Sequence, residues 1–275
     1  MSFVINTNVN SLLAQNYLSN NTAGLSQAMQ RLSSGMRINS AMDDPAGLAV
    51  GTKMGVTTSA LYRGAANAND GLSLAQTADS AINNISNILS SMNTLASQAA
   101  NGVYSATQLT DLNATFTALR DEINRVASST QFNGINLLDG SAASVTIQVG
   151  SGNTVNDRLT VSLSDLTTAT LGISADVITS VAAAQTALTN ISTAISTVTS
   201  SLATLGANEK NLDAAINNNN GIAASLSSAK SRIMDTDYAA ESSNQAKFNI
   251  LTQSNIAMLA QANSTPQMVM QLLKG

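Results

Sequence analysis

The sequence predicts a mainly α fold: long helices wound into a coiled-coil-like rod, carrying one small β-hairpin. Three observations predict it. Apolar residues recur at alternating steps of three and four through several long segments, one short stretch alternates every second residue, and only two prolines interrupt 275 residues.

Each element follows from its own pattern. Leu18, Leu25, Ala28 and Leu32 stripe an N-terminal helix that Gly35 is placed to stop. Met36 to Asp43 reads as a connector, after which Asp44-Pro45 supplies a cap and a first-turn proline. The next stripe is Ala75, Ala78, Ile82, Ile85, Leu89, Met92, Ala96 and Ala99. A second runs through Leu109, Leu112, Phe116, Leu119, Ile123 and Val126. Then the period changes: Val145, Ile147 and Val149 alternate, Gly150 to Asn153 turns, and Leu159, Val161 and Leu163 alternate again. The third stripe, Val177, Val181, Ala184, Leu188, Ile191, Ile195, Val198, Leu202 and Leu205, continues loosely to Ile233. At the usual rise that helix would approach about 85 Å. Asp237 can cap a last helix striped by Phe248, Leu251, Asn255, Met258 and Ala262. Thr265-Pro266 should interrupt this helix and restart it for a turn or two.

Composition excludes most chemistry. The chain has no His and no Cys, so it lacks the imidazole and thiolate ligands of common zinc, copper and haem sites. It also lacks the commonest general base. A net charge of −4 leaves no basic footprint for nucleic acid. No apolar run is long enough to span a bilayer, and the first residues do not read as a secretory signal peptide. Asp43-Asp44 is explained by cap and connector, and the Gly47 to Gly55 spacing holds Lys53 in no apolar 20-mer. No catalytic, cofactor or metal residues emerge.

Charge is also missing from whole stretches. Residues 1–30, 80–110, 177–208 and 248–273 carry none, and Ser, Thr, Asn and Gln fill their polar positions. Such helices forgo Glu–Lys pairing and good propensity, so they need packing from elsewhere. Uncharged faces can be covered by many copies of a chain without repulsion or a large desolvation cost. The two terminal helices are too poor in large apolar residues to be more than marginal when packed only on each other.

Several motifs carry a family resemblance. They are Val4-Ile5-Asn6-Thr7-Asn8, LSSGMRINSAMDD at Leu32 to Asp44, NANDG at Asn67 to Gly71, QFNG at Gln131 to Gly134 and IQVG at Ile147 to Gly150. SRIMDTDY at Ser231 to Tyr238 and LAQANSTPQ at Leu259 to Gln267 complete the set. The chain resembles bacterial flagellin, in a minimal form, since Leu171-Gly172-Ile173 leaves no room for outer inserts before Val177. The resemblance implies long antiparallel helices, with the terminal helices pairing as an inner domain at 1–44 and 236–275. A central rod would occupy 45–235, its hairpin near 145–163. It implies a filament subunit whose terminal Leu12, Leu18, Leu25, Leu32, Phe248, Leu251, Met258, Leu259 and Leu272 serve polymerisation. A hook-filament junction protein is the alternative. Implied partners are further copies of the chain, the flagellar type III export apparatus, a secretion chaperone, and cap and junction proteins. The implied location is extracellular, reached without a cleaved signal. Many flagellins carry an Arg-Glu-Leu-Ala patch read by an animal immune receptor. Here that patch is degenerate: Asn93, Thr94 and Leu95, with Thr115 at a further acidic position.

Overall fold

The structure, a computed structural model, describes residues 7–274, and the backbone alone for residues 267 and 269–274. Val4, Ile5 and Asn6 of the opening motif lie outside the described residues. In chain order the elements are α1 (Val9–Ser34), α2 (Pro45–Ala99), α3 (Ala106–Ser129), β1 (Gln131–Phe132), β2 (Ile135–Asn136), β3 (Ser144–Gln148), β4 (Arg158–Ser162), α4 (Val181–Met234) and α5 (Tyr238–Lys274). Met1–Val56 with Ser225–Gly275 forms one compact unit and Thr57–Ala224 another, the boundaries falling inside α2 and α4.

In the second unit the heptad stripes form the core. From Ala75 to Ala99 of α2, no stripe residue is more than 2 % exposed. They share one hydrophobic cluster with Phe116 and Ile123 of α3 and Ile191 and Val198 of α4. The α4 stripe differs from expectation in phase. Leu188, Ile195 and Leu202 are half-buried, while Ala187, Ala194 and Ser201 are buried. The tight seam therefore runs Ala184, Ala187, Ile191, Ala194, Val198, Ser201, Leu205. Small residues at alternate steps admit the neighbouring chain closely, and the larger leucines flank the contact.

Helix α4 also starts later than its stripe suggested. Val177 is exposed, and the Oγ of Ser180 accepts from the amide of Ala183, placing the cap three residues on. The preceding stretch is pinned by two asparagines of α3. Asn113 Oδ1 accepts from the Ile178 amide at 2.8 Å and Asn124 Oδ1 from the Thr168 amide at 3.0 Å. Helix α3 itself opens on a capping box between Ser105 and Gln108.

Strands β3 and β4 pair as the alternation required, Val145 opposite Val161 and Ile147 opposite Leu159. Their loop closes on Asp157, whose carboxylate accepts from Gly152 and Thr154 and is held below the usual carboxylate range by them, Thr154 foremost. Asn67 Nδ2 donates to the Gln148 carbonyl at 2.9 Å, and buried Asn219 donates to that of Val149 at 2.8 Å. Gly64 makes this seat possible, because a β-carbon there would lie 1.9 Å from the Val149 oxygen. A second hairpin, β1–β2, turns through Asn133 and Gly134, both at positive φ.

In the first unit, Asn8 caps α1 through its Oδ1, and Gly35 ends it at φ 71°. The connector is fastened to the segment after α4. Arg37 donates its amide to Met234 and Thr236 its amide to Gly35, at 2.6 and 3.0 Å. Asp43 accepts the amides of Asn39 and Ser40, and these bonds, Ser40's foremost, hold its carboxyl below the usual range. Asp44 Oδ1 caps α2 at Gly47, and Asp237 Oδ1 caps α5 at Ala239 and Ala240. Helix α5 corrects the expected break: it runs through Pro266 without interruption. Ser264 and Thr265 hydroxyls donate to the Gln261 carbonyl, both at 2.9 Å, and Asn8 Nδ2 donates to that of Ala262 at 2.8 Å. Side chains thus satisfy carbonyls in the turn before the proline ring, and the helix persists.

Candidate assembly surface

Helices α1 and α5 lie antiparallel, as three contacts at rising α1 and falling α5 numbers show. Asn8 meets Ala262, the Phe248 ring lies over Gly24, and Arg31 lies 3.8 Å from Glu241. Their seam on α1 runs through Ser11, Ala14, Leu18, Asn21, Leu25, Ala28 and Leu32, all buried or half-buried. On α5 it runs through Glu241, Gln245, Phe248, Thr252, Asn255, Leu259 and Ala262. Both sets alternate three and four, the spacing of helices packed along a heptad seam.

The α5 seam shares Phe248, Asn255 and Ala262 with the stripe read from sequence and departs from it at two positions. Leu251 and Met258, expected within it, are 37 % and 63 % exposed, and Thr252 and Leu259 take their places. Hydrophobicity alone favoured Leu251 and Met258, yet these side chains face outward. Of the residues assigned to polymerisation, Leu18, Leu25, Leu32, Phe248 and Leu259 line the seam. Leu12, Leu251 and Met258 are exposed. The side chain of Leu272 lies outside the described residues.

More large apolar side chains point away from the seam than into it. On α1, Val9, Leu12, Leu13, Tyr17 and Met29 are each at least half exposed; on α5, Ile250 and Ile256 join Leu251 and Met258. Sequence reading missed most of these, because a single stripe was sought and these helices carry apolar residues on two faces. Between Leu18, Leu25, Leu32, Phe248 and Leu259, all only half-buried, the seam is filled by small or polar side chains. At about 25 cal/mol per Å², such a seam stabilises little and the outward leucines contribute nothing until covered. Large apolar side chains exposed in this number mark a surface for interaction. Charge enters the seam at one end, where Arg31 in the last turn of α1 meets Glu241 in the first turn of α5. Each suits the dipole of its own helix end.

The degenerate patch lies in the other unit. Asn93 and Thr94 line a shallow polar groove with Ser90, Ser97, Gln98, Asn101 and Tyr104, and Thr115 is not part of it. Leu95 is half-buried against the core. The Thr94 hydroxyl donates to the Ser90 carbonyl and that of Thr115 to the Asp111 carbonyl, at 3.1 and 3.3 Å. Both are occupied within their own helices. Among the described residues no cluster of three or more acidic side chains could hold a metal, and no helix is long and apolar enough to cross a membrane.

Comparison with known proteins places the chain among others of known kind. Residues 5–143 match the bacterial flagellin N-terminal helical region and residues 188–273 the flagellin C-terminal helical region. A flagellin of Listeria innocua is 38 % identical, the alignment covering 98 % of this chain and 99 % of that one. The flagellar filament 33 kDa core protein of Treponema phagedenis is 35 % identical over 98 % of this chain and all of its own. The crystal structure of Bacillus cereus flagellin superposes with a TM-score of 0.51 at 34 % identity, covering 56 % of this chain and 88 % of that one.

Proposed function

The chain belongs to the bacterial flagellin family, and from that premise we propose how its surfaces serve the filament. It is a structural subunit that self-assembles into the flagellar filament, outside the cell. It is a compact form, with 18 residues between the end of β4 and the start of α4. The whole-length match to flagellins favours this role over that of a junction protein.

The observation that carries the mechanism is the outward apolar face of α1 and α5 on stretches without charge. Residues 1–44 and 236–275 act as the inner, polymerising domain. Seam residues Leu18, Leu25, Leu32, Phe248 and Leu259 hold the two helices together, and Leu12, Leu251 and Met258 pack against neighbouring copies. Leu272 serves polymerisation as well. The subunit travels through the flagellar type III export apparatus with a secretion chaperone on its C-terminal segment, and meets cap and junction proteins on the way. No catalytic role is ascribed to it.

Deleting residues 1–34 or 238–275 tests the division of labour. The remaining chain should stay helical by circular dichroism and fail to extend filament fragments. A truncated chain that builds normal filaments contradicts it. The altered patch supports a second, narrower reading: weak activation of the animal receptor with assembly intact. Charge-assisted bonds contribute about 1.5–3 kcal/mol each, and Asn93 and Thr94 offer none. A reporter-cell assay on monomer checks this, with Asn93→Arg plus Thr94→Glu expected to recover part of the response.

A further inference from the structure

Pro266 has no amide hydrogen, so the carbonyl of Ala262, four residues earlier, loses its partner within the helix. Asn8 Nδ2 replaces that partner at 2.8 Å. The same side chain accepts from the Ser11 amide through Oδ1 at 3.1 Å, capping α1. One amide group therefore serves both helices, and only one orientation of it satisfies both bonds.

We propose that Asn8 and Pro266 form a register clasp: Asn8 is a positioning residue that fixes the start of α1 against α5 in the assembled subunit. The seam around it holds Ser11, Ala14, Asn255 and Ala262, with Leu259 its one large apolar side chain, and such small or polar residues discriminate poorly between neighbouring registers. A polar contact discriminates well, because slipping it strands a group that has no other partner. The proline creates a carbonyl in α5 that asks for an outside donor, and Asn8 supplies that donor only in this register. A shift of one heptad would present Asn8 to carbonyls already bonded within the helix. The clasp rests on the filament reading, since the alignment of the two helices sets where their outward side chains meet neighbouring copies.

Asn8→Asp and Asn8→Ser both keep an oxygen to cap α1, and neither carries the amide donor. Pro266→Ala returns an amide hydrogen to the Ala262 carbonyl. The full-length chain and these variants, singly and combined, are added to filament fragments and the critical concentration for elongation is read. Each Asn8 variant should raise it about fivefold in the Pro266 background, the size of one lost hydrogen bond. With Pro266→Ala the increase should shrink to less than about twofold, the coupling expected of groups in contact. Equal effects in both backgrounds, or no effect beside Pro266, overturn the clasp. If Pro266→Ala does not elongate, hydrogen exchange on Asn8→Asp filaments decides. Faster exchange confined to residues 9–14 and 259–265 supports the clasp, and exchange that is unchanged or uniformly faster refutes it. A wild-type chain that extends no fragments would instead bring down the filament reading itself.

Discussion

Two glycines in long helices should respond in opposite directions to the same substitution. At Gly64 an added β-carbon would strike the Val149 carbonyl, backbone that Asn219 already holds in place. The clash costs about 1–3 kcal/mol, against about 1 kcal/mol gained in helix propensity, so Gly64→Ala should lower the melting temperature. Gly206, with nothing within 4 Å of a β-carbon, should gain about 0.5–1 kcal/mol as Ala. Leu89 and Ser90 form a second pair. Leu89 is fully buried, and Leu89→Ala should cost about 2–5 kcal/mol. Exposed Ser90→Ala should stay within about 0.5 kcal/mol. Leu202, half-buried beside the Ala194–Ser201 seam, should fall between them. Equal melting temperatures for the Leu89 and Ser90 variants would mean that the helix phase is wrong.

At the scale of elements, helices and hairpin were legible wherever a pattern had a single cause. Ala75 to Ala99 were read correctly because every stripe position is a core position. The caps at Gly35, Asp44 and Asp237 were readable because backbone geometry dictates them locally. Phase was harder on α4 and α5. There Ala187 competes with Leu188 and Thr252 with Leu251, and close packing selects the smaller residue while hydrophobicity points to the larger. Pro266 misled because its compensation comes from Asn8, 258 residues away. The β1–β2 hairpin turns on Asn133-Gly134, a local signal whose flanking strands, two residues each, are too short to show alternation. One element carries a pH dependence. Burial, then the charge of Asp79, pushes the Glu209 carboxyl above its ordinary 4.5, and its Oε1 has no partner. A raised folded value means that the folded chain holds the proton longer. The contribution of Glu209 to stability is therefore full below about pH 4.5 and declines as pH rises through the folded value. Glu209→Gln should raise the melting temperature at pH 7 and leave it unchanged near pH 4, as thermal melts at both values will show.

For the molecule as a whole, the absence of charge is the observation with the widest reach. It marks the terminal helices as surfaces to be covered. What it could not disclose was which face would be covered, because that depends on the seam chosen between α1 and α5. The central claim is that the outward side chains of this pair drive assembly. Elongation of filament fragments by the full-length chain, followed by electron microscopy, tests it directly when wild type is compared with Leu12→Lys and Met258→Lys. The account predicts long filaments from wild type, and short unextended fragments from both variants while their helical content and melting remain as in wild type. Normal elongation by the two lysine variants would contradict it.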